Sequence, residues 1–224
     1  MPNLLIFGST GTLGGAILDK YRSEDWGLTC AVRKVVNDCD IQLPLSPAVI
    51  AKSKFDAVVF AQGANVNGSA MQTGTKELND LFEANVTVIA ESISILMSAD
   101  AINTGGKVVI LSSIWEQFTR QEKFAYTVTK AAVGGLVRSL AVDLGRAKKI
   151  LVNGILPGIV NSPMVARTLS PEQVANVVGQ TPGGELASPV DVANSVYMFG
   201  SALNTGISGQ SIFVDRGFSI ARTI

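Results

Sequence analysis

The chain has 224 residues, no histidine, and eighteen Lys+Arg balancing eighteen Asp+Glu. The length fits one large domain, and with 47% hydrophobic residues and scattered Gly and Pro the chain can bury a core, unlike disordered or fibrous sequences. Zero net charge without a basic stripe argues against a nucleic-acid partner, and a missing imidazole removes Ser/His/Asp and Cys/His triads and makes a zinc or non-haem iron site improbable.

Leu4 to Phe7 is a short apolar run that ends in Gly8-Ser9-Thr10-Gly11-Thr12-Leu13-Gly14-Gly15, after which Ala16, Ile17, Leu18 and Tyr21 recur at helical spacing. This predicts strand, glycine turn and helix. Leu28 to Val32 is a second strand closed by Arg33-Lys34, and Asp40 precedes a weaker third, Ile41 to Leu43. Ser46-Pro47 opens a short helix expected to reach Lys52, and Asp56 to Ala61 is the fourth strand. Leu78, Leu81, Phe82, Val86, Ile89, Ile93 and Met97 then define one long helix, with Gly105-Gly106 as its stop. Lys107 to Ser112 is a strand, Tyr126 to Leu144 a helix ended by Gly145, and Ile150 to Leu156 a strand ended by Pro157-Gly158. Ser170-Pro171-Glu172 and Ser188-Pro189-Val190-Asp191 are capped helix starts, and Gln210 to Asp215 is the last strand. Continuous apolar strands alternating with helices predict an α/β fold: a doubly wound, Rossmann-type parallel sheet of about seven strands covered on both faces.

The apolar runs, such as Leu4–Phe7, Ala57–Ala61 and Val108–Leu111, fall short of the roughly 18 residues of a membrane-spanning helix, so no membrane partner is expected. Met1-Pro2-Asn3-Leu4 shows no secretory pattern, and a cytoplasmic location is expected. Cys30 and Cys39 are neither a disulfide framework nor a metal cluster by number, and read as small buried residues in a reducing compartment. No metal is expected.

Glycines 8, 11 and 14 sit where a strand turns into a helix, so a pyrophosphate can approach the backbone amides at the positive helix end. The spacing lacks the Gly-Lys-Ser/Thr of a P-loop. The second strand ends in Arg33-Lys34 rather than in an acid, which favours the 2'-phosphate of NADP(H) over the free ribose hydroxyl of NAD(H). Tyr126 and Lys130 share one helix face at i, i+4, and a neighbouring ammonium favours the phenolate, lowering the tyrosine pKa toward that of a working acid-base.

These residues resemble the short-chain dehydrogenases/reductases. Ser113 precedes Tyr126 by the family's usual interval, and Asn85 in Glu83-Ala84-Asn85-Val86 is similar to the asparagine of its tetrad. Val152-Asn153 through Pro157-Gly158 to Ser162-Pro163-Met164, and Ser208-Gly209-Gln210 through Val214-Asp215-Arg216-Gly217, match two further family segments in order. Two positions depart: Phe60-Ala61-Gln62-Gly63 stands for the family's N-N-A-G, and Arg216 replaces a glycine.

The resemblance implies one dinucleotide-binding catalytic domain over residues 1–224, with a short substrate lid at about 164–186. It implies Tyr126 as general acid-base, Ser113 as oxyanion donor, Lys130 on the nicotinamide ribose and Asn85 placing a relay water. The loop from Gly8 through Ser9, Thr10, Gly11, Thr12 and Leu13 to Gly14 would carry the pyrophosphate, Asp40 and Ile41 the adenine, Ala61 and Gly63 the neighbouring ribose, and Pro157, Val160 and Ser162 the nicotinamide side. The expected partner is a small carbonyl or alcohol substrate, and the expected assembly a homodimer or homotetramer. The alternative is a catalytically weak nucleotide-binding regulator of the same fold, suggested by the altered Phe60–Gly63 loop. A nucleotide-sugar enzyme, suggested by glycine spacing, is opposed by length.

Overall fold

A computed structural model describes residues 1–50, 53–162, 165 and 169–221. Seven strands, β1 (Asn3–Phe7), β2 (Gly27–Val32), β3 (Asp40–Gln42), β4 (Phe55–Phe60), β5 (Ile102–Leu111), β6 (Leu151–Pro157) and β7 (Ser211–Val214), form one sheet. The order is β3-β2-β1-β4-β5-β6-β7 and every pairing is parallel. The sheet is the doubly wound one that the strand pattern predicts.

The helices are α1 (Thr12–Ser23), α2 (Pro47–Ile50), α3 (Thr75–Phe82), α4 (Val88–Ser98), α5 (Phe124–Lys148), α6 (Pro171–Gln180) and α7 (Pro189–Gly200). Alternation within β1 explains their division between the two faces, because successive side chains point to opposite sides of a strand. Leu5 and Phe7 pack with Ile89, Ile93 and Leu96 of α4 and Val133 and Val137 of α5. Leu4 and Ile6 pack with Ile17 and Tyr21 of α1 and Val192, Val196 and Phe199 of α7. Tyr21 is wholly buried and meets Trp26 and Tyr197 edge-on at 4.9 and 5.2 Å, so both tyrosines are packing residues.

Both expected capped starts form, and each is a capping box: Ser170 Oγ accepts from the Gln173 amide at 3.3 Å, and Ser188 Oγ from the Asp191 amide at 3.1 Å.

Four local expectations are corrected. The long helix ends at Ser98, and Gly105-Gly106 lie inside β5, where the register with β4 shifts between Phe55 and Ala57. Gly105 has φ +78, and a Cβ on Gly106 would press on the Asn103 carbonyl oxygen at 2.9 Å, so these glycines serve a bulge and not a helix stop. Helix α5 starts at Phe124 and runs through Gly145 to Lys148, with Lys149 as its left-handed cap at φ 58. Buried Leu144 and the Lys148 ammonium, which donates to the Ile102 carbonyl, hold that last turn against the low helix propensity of Gly145. Cys39 is exposed while Cys30 is buried, and both are free thiols. Their sulfurs and an Asp40 carboxylate oxygen fall within 4.8 Å of one another, a grouping that residue number alone did not suggest. The end of the short helix expected at Ala51 and Lys52, and Pro163-Met164 of the family segment, lie outside the described residues.

The stretch Thr75–Ser98 is, by length and composition, long and apolar enough to cross a membrane. Here it is a layer helix, broken by a π-helical turn at Glu83–Thr87, with Ile89, Ile93 and Leu96 packed on the sheet.

Candidate active site

Strand order reverses between β1 and β4, and ligands of open α/β sheets bind in the crevice beyond the carboxyl ends of the strands at such a point. The segments after β1, β4, β5 and β6 meet there around a cleft of about 860 Å³.

The glycine loop forms one wall. Gly8 has φ +78, and a Cβ there would lie 2.6 Å from the Gln62 backbone nitrogen. A Cβ on Gly14 would overlap the Gly8 carbonyl oxygen, so α1 can start this close to β1 only with glycine at that position. Gly11 caps α1 without a side-chain hydrogen bond, and the first turn holds no acid. The first amides of α1, at the positive end of its dipole, are therefore left for a ligand.

Gly11, Thr12, Leu13, Gly14, Ala61, Gly63, Ser113, Tyr126, Lys130, Pro157, Val160 and Ser162 line this one cleft, as the sequence reading groups them. Gly8, Ser9 and Thr10 belong to the same turn and do not line it. Arg33 is exposed just past β2. Asp40 accepts from the Val36 and Asn37 amides at 2.9 Å each, bonds that hold its carboxyl below the ordinary range and occupy it in the β2–β3 turn. Ile41 packs against the core.

Tyr126 stands in the first turn of α5 and Lys130 one turn further on. Lys130 is buried, donates from Nζ to the Leu111 carbonyl at 3.2 Å, and lies 5.7 Å from the centre of the Tyr126 ring. Burial pushes the Lys130 pKa down to about 8, partly offset by the Glu116 carboxylate. The Tyr126 pKa is raised by burial, with the Ser113 hydroxyl pulling the other way. The expected lowering of the phenol by Lys130 does not appear: burial dominates, and the ammonium turns to the Leu111 carbonyl. Ser113 is buried at the end of β5 and caps the turn Ile114–Glu116 by accepting from the Trp115 amide at 3.4 Å.

Asn85 is almost wholly buried in the π-helical turn and does not line the cleft. Its Oδ1 accepts from the Ala64 amide at 2.8 Å, and its Nδ2 donates to the Ala64 carbonyl and Thr129 Oγ1 at 3.0 Å each. It ties the loop after β4 to α5 behind Lys130.

Several cleft residues escape the sequence reading. Gln62 has both side-chain polar atoms buried without a partner among the described residues, as does the Ser112 hydroxyl. Buried polar atoms of this kind call for a ligand or water. Trp115, Arg120, Lys123, Asn65 and Asn67 line the same cleft, as do Gln173, Asn176 and Gln180 of α6. The charged stretch Arg120 to Lys123 just before Tyr126 was the one available signal. Glu116 is also buried, and a Cβ on Gly134 would stand 2.6 Å from its Oε1, so glycine one turn beyond Lys130 makes room for that carboxylate.

An uncapped helix start behind a glycine-rich loop, with orphaned Gln62 and Ser112 atoms in the same cleft, fits an elongated nucleotide whose phosphates rest on α1. The fold and cleft define a doubly wound α/β protein with a dinucleotide-type site. A family model described as enoyl-(acyl carrier protein) reductase matches residues 36–219. The 3-oxoacyl-acyl-carrier-protein reductase of Escherichia coli is 26% identical over 162 residues, covering 72% of this chain and 66% of that protein. The chain thus spans just under two thirds of that relative. A short-chain dehydrogenase family protein from Francisella tularensis superposes with a TM-score of 0.84 at 21% identity, covering 98% and 99% of the two chains. ElxO, solved with NADP bound, superposes with a TM-score of 0.82 at 18% identity, covering 97% and 98%. The chain belongs to the short-chain dehydrogenase/reductase family.

Proposed function

We propose that the protein is an oxidoreductase that interconverts a carbonyl compound and its alcohol with NADP(H). The carrying observation is the convergence of Tyr126, Lys130 and buried Ser113 on the cleft that the uncapped start of α1 also faces. When bound, a nicotinamide supplies or accepts the hydride. The chain's residues manage the proton and the charge. Tyr126 gives its phenolic proton to the carbonyl oxygen in reduction and takes it back in oxidation, and its raised pKa keeps that proton in place at neutral pH. Ser113 donates a hydrogen bond to the same oxygen as negative charge develops. Lys130, mostly protonated below about pH 8, holds the ribose hydroxyls, and Asn85 fixes the loop beside it.

The pyrophosphate rests on Gly11 to Gly14, with Gly8, Ser9 and Thr10 shaping the turn, and Pro157, Val160 and Ser162 flank the nicotinamide. Exposed Arg33, at a strand end without an acid, supports the 2'-phosphate, as does NADP in ElxO. The segment around α6, which lines the cleft with Gln173 and Asn176, acts as the substrate lid. We also propose that the chain assembles as a homodimer or homotetramer through α4 and α5.

The test is NADPH oxidation with a carbonyl panel by the wild type and Tyr126→Phe. The reading predicts turnover by the wild type and a fall of about 100-fold or more in kcat in the variant, with NADPH still bound. Equal turnover by both would remove Tyr126 from the chemistry, and NADPH binding without turnover by the wild type would favour the regulator.

A further inference from the structure

The described residues that line the cleft include no Asp or Glu, yet they include Arg120, Lys123 and Lys130, in a chain whose formal charges cancel. Lys130 is already placed behind the phenol. The other two cations are free for the substrate, since Lys123 lies 5.2 Å from the centre of the Tyr126 ring, beside the proposed proton donor. Lys123 is only 5% exposed. Its ammonium donates to Asn65 Oδ1 at 2.8 Å and Asn67 Oδ1 at 2.6 Å, neutral acceptors that orient the charge without cancelling it. The backbone around it is fixed by the Gly68 amide on the Glu122 carbonyl and the Phe124 amide on the Gly68 carbonyl, 3.2 Å each.

Arg120 is exposed at the rim. Its guanidinium lies 6.0 Å from the centre of the Trp115 ring and donates to the Gln121 carbonyl at 3.2 Å. Among the described residues neither Arg120 nor Lys123 forms an ion pair. The two are close enough to repel: burial, and then the Arg120 charge, push the Lys123 pKa down to about 8. A buried cation normally has a counter-charge, and a fold that buries one without it leaves that charge to be completed by a ligand.

We propose that the substrate of this cleft carries an oxyanion, a carboxylate or a phosphate, which binds between Lys123 and Arg120 a few atoms from the carbonyl or alcohol at Tyr126. The proposal rests on the oxidoreductase reading and narrows its substrate class. Lys123 meets the anion as a fixed point charge, and Arg120 adds a planar pair of donors suited to either oxyanion. The amides of Gln173, Asn176 and Gln180 on α6 line the same cleft without adding charge. Neutral ketones of the same size lack this anchor.

The test pairs each charged carbonyl compound with its neutral counterpart: 4-oxopentanoate with its methyl ester, and dihydroxyacetone phosphate with dihydroxyacetone. Binding is measured calorimetrically to the wild type with and without NADPH. The charged member is expected to bind at least tenfold more tightly, and the better of the two charged compounds distinguishes carboxylate from phosphate. Arg120→Met, at an exposed position, should cut that advantage severalfold, and Lys123→Met should abolish it if the variant folds. Equal binding within both pairs, or an advantage untouched in Arg120→Met, overturns the proposal. NADPH oxidation with the same compounds scores the other reading separately: charge-selective binding without turnover removes the oxidoreductase, and turnover indifferent to charge removes the anion site.

Discussion

Lys130 is held where a lysine is least stable. Its pKa of about 8 in the fold, against an ordinary 10.5, means that the unfolded chain binds more protons between those values, so stability rises with pH across that window and the full penalty applies below it. Lys123 adds a rise of the same sign from about pH 8. Cys30 opposes both above its ordinary value of 9.0, because burial lifts it to about 11. The clean interval is therefore pH 8 to 9. Lys130→Met is predicted to abolish turnover, to raise the melting temperature at pH 7 by roughly 2–4 °C for each 1 kcal/mol of relieved desolvation, and to reduce the rise from pH 8 to 9 to the part that Lys123 contributes. Thermal melts across that range check it, and an unchanged or lower melting temperature at pH 7 would show that the buried ammonium is not a strain on the fold. That Tyr126, Lys130 and Ser113 come together in one cleft was legible from spacing and resemblance. Their electrostatics were not, because burial of the phenol and the turn of Nζ toward Leu111 depend on how α5 packs on β5, and no local pattern records that.

At the scale of elements, the first strand-turn-helix unit was readable almost to the residue, since its glycines answer backbone demands. Those demands differ within the loop, which gives a paired prediction. Gly14→Ala must push its methyl into the Gly8 carbonyl, and should lower stability by about 1–3 kcal/mol and weaken NADPH binding. Gly11 has φ −82 and only the Gly8 oxygen at 3.5 Å. Gly11→Ala should therefore keep its melting temperature within a few degrees while losing at least tenfold in NADPH affinity, because its methyl enters ligand space. Melting curves and binding titrations on both variants check this, and full affinity in Gly11→Ala would mean that no ligand approaches the loop there. The capped helix starts at Ser170 and Ser188 were equally legible. Gly105-Gly106 and Gly145 were not, because a glycine pair marks a bulge as readily as a helix end, and a single helical glycine is overruled once Leu144 and Lys148 are anchored by tertiary contacts.

For the molecule as a whole, the parallel sheet and its two faces followed from strand hydrophobicity, whereas the electrostatic character of the cleft emerged only when α5, α6 and the loops after β4 and β5 were brought together. The solvent side of α5 carries Phe124, Val128 and Val142 at 38%, 37% and 53% exposure, with open space at Gly135 between them. The proposed assembly covers this stripe. Sedimentation is predicted to show a dimer or tetramer, and Val142→Glu to shift it toward monomer; a monomeric wild type would refute pairing through α5. The most direct test of the central claim, a nicotinamide cofactor on the glycine loop, is a fluorescence titration of wild type and Arg33→Ala with NADPH and NADH. The account predicts tight NADPH binding, weakened about tenfold or more by the substitution, with NADH weak in both. Binding of neither cofactor would contradict it, because the uncapped start of α1 would then serve some other ligand or none.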